Sequence, residues 1–570
     1  MRLILLCLFF ALFASALEPV PQGFPSTWEG DKFKQAECEI VQNPPPWLDG
    51  YLFAQTSASH GDQSNPKGEK IMHMFDAISG VSVFDISPEK ASFTGAYYPT
   101  KAYKIWEFYD RDFKKSKVAW ATTFTYVNAT AMKPWSQVPS DVYSDAPNVD
   151  FWKVGNNIVA GTESYTPFGM TFDLPQVNDF RYFLFKDSDD LFKTQLVPLH
   201  IPMHEHVDQK TGLIWSVVLA VNISASPMPT FHEVVFTVDS NGTRTVQGIF
   251  DFSPVDATKC SPDGKYTGDI SGDGIYWPRY MHTVTATQNY LIVPMTSLIF
   301  RPCLILMGIP YVPENATIFY PNGFIFEWDP KAPVVFLFFD KRTKKFLEPI
   351  ASKTPQFFTH QFNSYETEEE DQIYVDIVAF DNKIYEELNT ENLLLVGDHP
   401  ELANHAYRYA INLTSKSIDT QSLLPPEDQQ MVEFPQINHK FEGKKYKYGY
   451  VVQVPFFQPN HILKIDVDTP SGENNKYFQP GDSISLSDPY FVPRPGGEDE
   501  DDGVIVVRGL DTSINKTRIY VVDAKSMEKV GEILSPYFSP FGLHGRFYLR
   551  AALGMQSSSG GSVEASTEDD

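Results

Sequence analysis

Apolar residues along this chain recur in short runs bounded by Gly, Pro, Asn and Asp. That pattern predicts β-strands separated by turns. Helical periodicity is confined to two short stretches, around 366–390 and 398–406. One unit recurs: an apolar strand, an Asp or Asn, a few polar turn residues, then a second strand. VFDISPEKASF, TFDLPQVNDFRYF, FTVDSNGTRTV, LFFDKRTKKFL, YAINLTSKSID, LKIDVDTPSGE and YVVDAKSMEKV all show it. The turns start at Asp85, Asp173, Asp239, Asp340, Asn412, Asp466 and Asp523. An Asx side chain starts such a turn by bonding to backbone two residues on. Asp208 and Asp329 begin similar turns and are set aside. Seven hairpins at intervals of roughly 55–100 residues predict an all-β chain, a seven-bladed β-propeller. On spacing alone, a chain of stacked β-sandwich sheets fits nearly as well.

Composition supports a packed β-structure. Aromatic residues make up 14% of the 570 residues, with Phe and Tyr dominant. That favours strands and apolar cavities over disorder. Residues 1–16, MRLILLCLFFALFASA, read as a secretory signal peptide: one Arg, an apolar run, then Ala14-Ser15-Ala16. The run is too short for a membrane span. Six sequons, at Asn128, Asn222, Asn241, Asn315, Asn412 and Asn515, agree with a secreted glycoprotein. Without the leader, 45 basic residues face 72 acidic ones, a net charge of −27 (from −26 with Arg2 included). Such a surface repels nucleic acid. Residues 17–556 form one expected domain, and 557–570 an acidic, disordered tail. Cys38, Cys260 and Cys303 remain after cleavage, so at most one bridge forms, and the sequence leaves its partners open. No Cys-x-x-Cys is present, which argues against zinc ribbons and iron–sulfur clusters.

Candidate chemistry lies in four histidines. His204, His282 and His360 are spaced 78 residues apart, and His544 follows 184 residues later. With blades of 70–80 residues, the first three come from successive blades and the fourth from about two blades further on. Inner strands of a propeller converge on one axis, so the four rings would meet there. Imidazole suits iron, zinc, copper or nickel. Metal-bound imidazole usually donates its second N–H to a carboxylate. Glu163, Glu433 and Asp488 are the candidates. His206, next to His204 in HEH, reads as structural.

The motifs around these residues resemble the carotenoid cleavage oxygenase family, which includes carotene oxygenases and the retinoid isomerohydrolase of the retinal pigment epithelium. The resemblance runs in order through PPWLDGYLFAQ, HMFDAISGVSVFDI, DAPNVDFWKVGNNIVAGTES, HEHVDQKTGLIWS and RYMHTVTATQNYLIV. It ends with HQFNSYE, EFPQIN, SDPYFVPRPGGEDEDDGVIV and GLHGRF. It implies a seven-bladed propeller with a small helical or loop cap over an axial metal. It implies Fe(II) held by His204, His282, His360 and His544, with Glu163, Glu433 and Asp488 orienting the rings. The third acid is usually Glu, so Asp488 is one methylene short. The implied reaction is dioxygenase cleavage of one C=C bond of a carotenoid, apocarotenoid or similar polyene by O2. The same scaffold also serves a retinyl-ester isomerohydrolase, and a non-catalytic carotenoid or retinoid carrier is a third reading. A peripheral membrane contact is expected in this family, and KIWEFYDRDFKKSK (104–117) is its candidate here.

Overall fold

Hairpins form at all seven expected positions, and each joins the third and fourth strands, counted from the axis, of a separate sheet. These are the blades of a seven-bladed β-propeller, seen in a computed structural model. It describes most of the chain between residues 33 and 556. The longest stretches outside it are 1–32, 60–77, 112–146, 304–325, 382–403 and 557–570. The leader, the acidic tail, Asn128, Asn315 and most of the segment 104–117 therefore lie outside the described residues.

The turn chemistry is local and repeats. The Oδ1 of Asp239 accepts from the amides of Asn241 at 2.9 Å and Thr243 at 2.8 Å. Asp340, Asn412, Asp466 and Asp523 accept in the same way from the residue two ahead. In the first blade Ser87 takes over, its hydroxyl accepting from the Lys90 amide.

Apolar runs are near-continuous because each blade is buried on both faces. In Ile214–Asn222, Trp215, Val217, Leu219 and Val221 face the fourth blade, whereas Ile214, Val218 and Ala220 face the second. In Gly503–Asp511, Val504 and Val506 pack toward the first blade, and Ile505 and Val507 toward the sixth. Seven apolar clusters result among the described residues, one at each blade interface. A fully buried aliphatic or aromatic side chain contributes about 1.5–3 kcal/mol. A strand-edge hydrogen bond adds roughly 1 kcal/mol. Face-to-face packing therefore dominates the ring's stability.

The two chain ends close the ring. Glu39–Gln42 forms the outer strand of the seventh blade, beside Lys529–Leu534. Gly545–Leu549 forms the innermost strand of the first blade, beside Gly50–Ser59. Outside the blades, among the described residues, lie a two-stranded ribbon, Leu298–Phe300 with Phe326–Trp328, and one α-helix, Lys101–Phe108. Cys260 and Cys303 form the one disulfide among the described residues. Cys38 stays reduced, and burial pushes its thiol up to about 12. No helix among the described residues is long and apolar enough to cross a membrane.

The two helical expectations are corrected where the structure describes them. Gln372–Phe380 and Asn404–Asn412 are strands paired along their whole length. Ile373, Val375, Ile377 and Ala379 alternate into the interface with the fourth blade, so the period is two. Flanking charges imitated a helical pattern, and sheet packing overrides it.

One buried group contributes to no site. Glu233, in Thr230–Val238, is fully buried, and neither carboxylate oxygen has a partner. It shares a face with Phe231 and Val235. Burial pushes its carboxyl well above the ordinary value. A carboxyl raised on folding favours the fold at low pH. That advantage is lost as pH rises from the unfolded pKa of about 4.3 toward the folded one, at up to about 1.4 kcal/mol per unit. Glu233→Met is expected to stabilise the protein at pH 7, with a gain that widens between pH 5 and 7. Urea midpoints at the two pH values measure it; an identical gap at both would contradict the account.

Candidate metal centre

Every blade brings one residue or segment to the axis. His204 lies beside the innermost strand of the third blade, between Val197–His200 and His206–Val207. His282 lies three residues before Thr285–Ala286 of the fourth blade, and His360 lies inside Phe357–Glu366 of the fifth. His544 precedes the closing strand Gly545–Leu549 and so belongs to the first blade. The fourth histidine is therefore three blades beyond the third, not two: the chain's last strand joins the first blade. Glu163 follows Asn157–Ala160 of the second blade. Glu433 lies in Val432–Gln436 of the sixth, and Asp488 in Ile484–Pro493 of the seventh.

Backbone contacts fix these segments to one another. His204 bridges to Thr283, and the Val284 amide donates to the His204 carbonyl at 3.1 Å. Ile201 donates to the Glu163 carbonyl, and Gln55 to that of His544, both at 2.9 Å. The Trp152 indole donates to the Met203 carbonyl at 2.9 Å.

The four rings meet with candidate ligand nitrogens all within 4.8 Å of one another. His360 Nε2 lies 3.1 Å from the Nε2 atoms of both His282 and His544. His204 Nε2 is buried with no hydrogen-bond partner. Each Nδ1 faces a carboxylate instead. His282 Nδ1 meets Glu163 Oε1 at 2.6 Å, and His360 Nδ1 meets Glu433 Oε2 at 2.7 Å. His544 Nδ1 meets Asp488 Oδ2 at 3.1 Å, and His204 Nδ1 meets Asp150 Oδ2 at 3.3 Å. A carboxylate accepts the Nδ1 proton, which leaves each Nε2 lone pair aimed inward. Four lone pairs so close repel one another unless a cation lies between them. The donor set therefore fits a metal ion, as the chemistry of neutral imidazole requires.

The shorter Asp488 reaches His544 directly, at a longer distance than the two glutamates reach their partners. Its Oδ2 also accepts from the Gly545 amide at 3.2 Å, while Oδ1 is buried without a partner. Burial pushes this carboxyl well above its usual value. Glu163 behaves oppositely. Burial raises it, but His282 and the Tyr280 hydroxyl, which donates to Oε2 at 2.8 Å, hold it below the carboxylate norm. Burial also lowers His204, to about 3, along with His360 and His544, so these rings are neutral at pH 7.

Three residues escaped the sequence reading. Asp150 is a fourth carboxylate, and Arg546 grips it; both stand inside quoted motifs, DAPNVDFW and GLHGRF. Phe434, in EFPQIN, adopts φ 56°, a left-handed backbone unusual for an aromatic residue. That conformation lets its amide donate to Glu433 Oε2 at 3.1 Å. Its ring lies 5.6 Å from that of His360 and 5.5 Å from that of His544. His206 keeps apart, its Nδ1 on Glu442 Oε1 at 2.6 Å. His204, His360 and His544 border a cavity of about 630 Å³ whose lining includes Glu205, Asn363, Glu442 and Tyr548. Charged groups and aromatic side chains, Phe434 and Phe362 among them, share the lining.

The chain is similar to several known proteins. It is 22% identical to the mouse (Mus musculus) β,β-carotene 15,15′-dioxygenase, over 91% of this chain and 90% of that protein. It is 28% identical to a chloroplastic carotenoid cleavage dioxygenase 8 homolog of rice (Oryza sativa subsp. japonica). That match covers half of each chain. Among solved structures, the cobalt-substituted Synechocystis apocarotenoid oxygenase superposes with a TM-score of 0.67. It does so at 16% identity, covering 92% of this chain and 97% of that one. The family described as retinal pigment epithelial membrane protein matches residues 29–549, nearly the whole described propeller, and the chain belongs to this RPE65 family.

Proposed function

We propose that this chain is an iron(II)-dependent dioxygenase. It splits one C=C bond of a carotenoid, apocarotenoid or related polyene with O2, giving two aldehyde or ketone products. The observation that carries the reading is the convergence of four imidazoles whose Nδ1 atoms all face carboxylates. On this reading His204, His282, His360 and His544 hold the metal, and Glu163, Glu433 and Asp488 orient three of the rings. Ferrous iron, when bound, supplies the electron density that activates O2. An all-imidazole set adds no ligand charge, unlike a site with a bound carboxylate.

The protein's own task is positioning. Glu163 and Glu433 hold the Nδ1 protons of His282 and His360 in place. The Phe434 ring covers His360 and His544 on one side and keeps water from them. No side chain here is required as a nucleophile or general acid, because O2 supplies both product oxygens.

Entry into the secretory pathway is part of the same reading. It is supported by the leader-like residues 1–16 and by the Cys260–Cys303 bridge, a bond that persists in oxidising compartments.

Purified, iron-loaded protein incubated with β-carotene and apocarotenals under 18O2 tests the activity. Prompt label in both carbonyl products supports it. Hydrolysis and isomerisation of a retinyl ester without oxygen uptake favours an isomerohydrolase, and tight polyene binding without product favours a carrier; either result overturns the dioxygenase reading.

A further inference from the structure

We infer that Asp150 is a fourth orienting carboxylate, a positioning residue for His204, and that Arg546 neutralises it. The inference rests on the metal reading above and deepens it.

Three carboxylates already face three imidazoles. Only His204 would lack a partner, and Asp150 Oδ2 lies 3.3 Å from its Nδ1. Asp150 is almost wholly buried, at 1% exposure. Its carboxylate is fixed independently of His204: Oδ1 accepts from the Phe151 amide at 2.7 Å and from Arg546 Nε at 3.0 Å. Arg546 Nη2 completes a two-pronged grip on Oδ2. A planar guanidinium matches a carboxylate in this geometry, where a lysine would offer a single point of charge. The same Nη2 also reaches Glu205 Oε2 at 3.3 Å.

The placement ties two metal-site histidines together. Arg546 sits two residues after His544, on the strand that closes the ring. The segment presenting His544 therefore also supplies the cation that holds the acid behind His204. A fourth buried carboxylate without that cation would add a full negative charge beside the metal. With Arg546 present the pair adds none, and the His204 ring is oriented with the net charge of the site unchanged.

The test uses full-length, iron-loaded protein and two readouts that do not depend on turnover: the rate of iron release to a ferrous chelator and the Fe(III)/Fe(II) midpoint potential. Asp150→Asn removes a negative charge beside the site and leaves Arg546 with Glu205 as its carboxylate partner, so the potential is expected to rise. Arg546→Gln leaves Asp150 uncompensated, so the potential is expected to fall. The double variant is expected to return close to the parent. Arg546→Lys keeps the charge and is expected to hold the potential while loosening the grip. Asp150→Ala is expected to release iron about 10–100-fold faster, the usual scale for losing a group behind a metal ligand. Shifts of the same sign in both single variants, or parent-like release from every Asp150 variant, would overturn the inference. If the parent binds iron through four imidazoles and these variants behave like it, only this inference fails. If the parent binds no iron, the metal reading fails with it.

Discussion

Replacing His360 with alanine is expected to strip the centre of metal and abolish turnover. The Nε2 of His360 lies 3.1 Å from the Nε2 atoms of two of the other three rings. Its loss removes one of four imidazole donors. The fold is expected to survive. Glu433, which loses its imidazole, keeps the Thr359 hydroxyl at 2.7 Å and the Phe434 amide at 3.1 Å. A carboxylate that retains two donors is far cheaper to bury than an orphaned one. Losing a group behind a ligand costs about 10–100-fold in metal affinity, so losing a ligand itself is expected to cost at least that. Metal analysis after dialysis should fall from about one ion per chain to background, with an unchanged circular dichroism spectrum. One tightly held ion per chain in this variant would contradict the assignment.

The second large effect is expected at Glu163. Its Oε1 takes the His282 Nδ1 proton at 2.6 Å, the shortest of the four such contacts, and its Oε2 accepts from Tyr280 at 2.8 Å. Glu163→Gln keeps the size of the side chain and one acceptor oxygen. It removes the negative charge and adds donors where Tyr280 already donates. The amide can still accept from Nδ1 only if its N–H2 end turns toward the Tyr280 hydroxyl, so that hydroxyl must reverse its role. Metal affinity and kcat are each expected to fall about 10–100-fold. The corresponding change at Asp488, Asp488→Asn, is expected to cost less, because its contact with His544 is already 3.1 Å. Competition for iron with a chelator, measured on both variants, checks the order. A larger loss at Asp488 than at Glu163 would show that contact length does not set the contribution.

The parts of this molecule that follow local rules were legible in the chain. An Asx turn is decided by a side chain and two amides within a few residues, so all seven hairpins could be located. The four converging histidines were legible because each sits in a short motif and the motifs recur in order. What failed depended on distant packing. Regular spacing placed His544 about two blades beyond His360, but the closing strand returns the chain's end to the first blade. The hairpin interval between Asp239 and Asp340 is also lengthened by the ribbon Leu298–Phe300 and Phe326–Trp328. The helical pattern around 366–390 gave way because Ile373 to Ala379 is sandwiched between blades. Asp150 stands inside a legible motif, but nothing in the sequence pairs it with His204. Its role appears only when the second blade lies beside His204 and the closing strand delivers Arg546. Phe434 needed its backbone angle, which no sequence pattern announces.

On the proposed reading, one iron is held by four imidazoles and by no protein oxygen or sulfur. X-ray absorption at the iron K-edge of the anaerobic ferrous protein tests it most directly. The account predicts nitrogen scatterers at about 2.1 Å with outer-shell multiple scattering equivalent to four imidazole rings. A shell with two imidazoles or fewer, or one containing sulfur or a bound carboxylate, would contradict it.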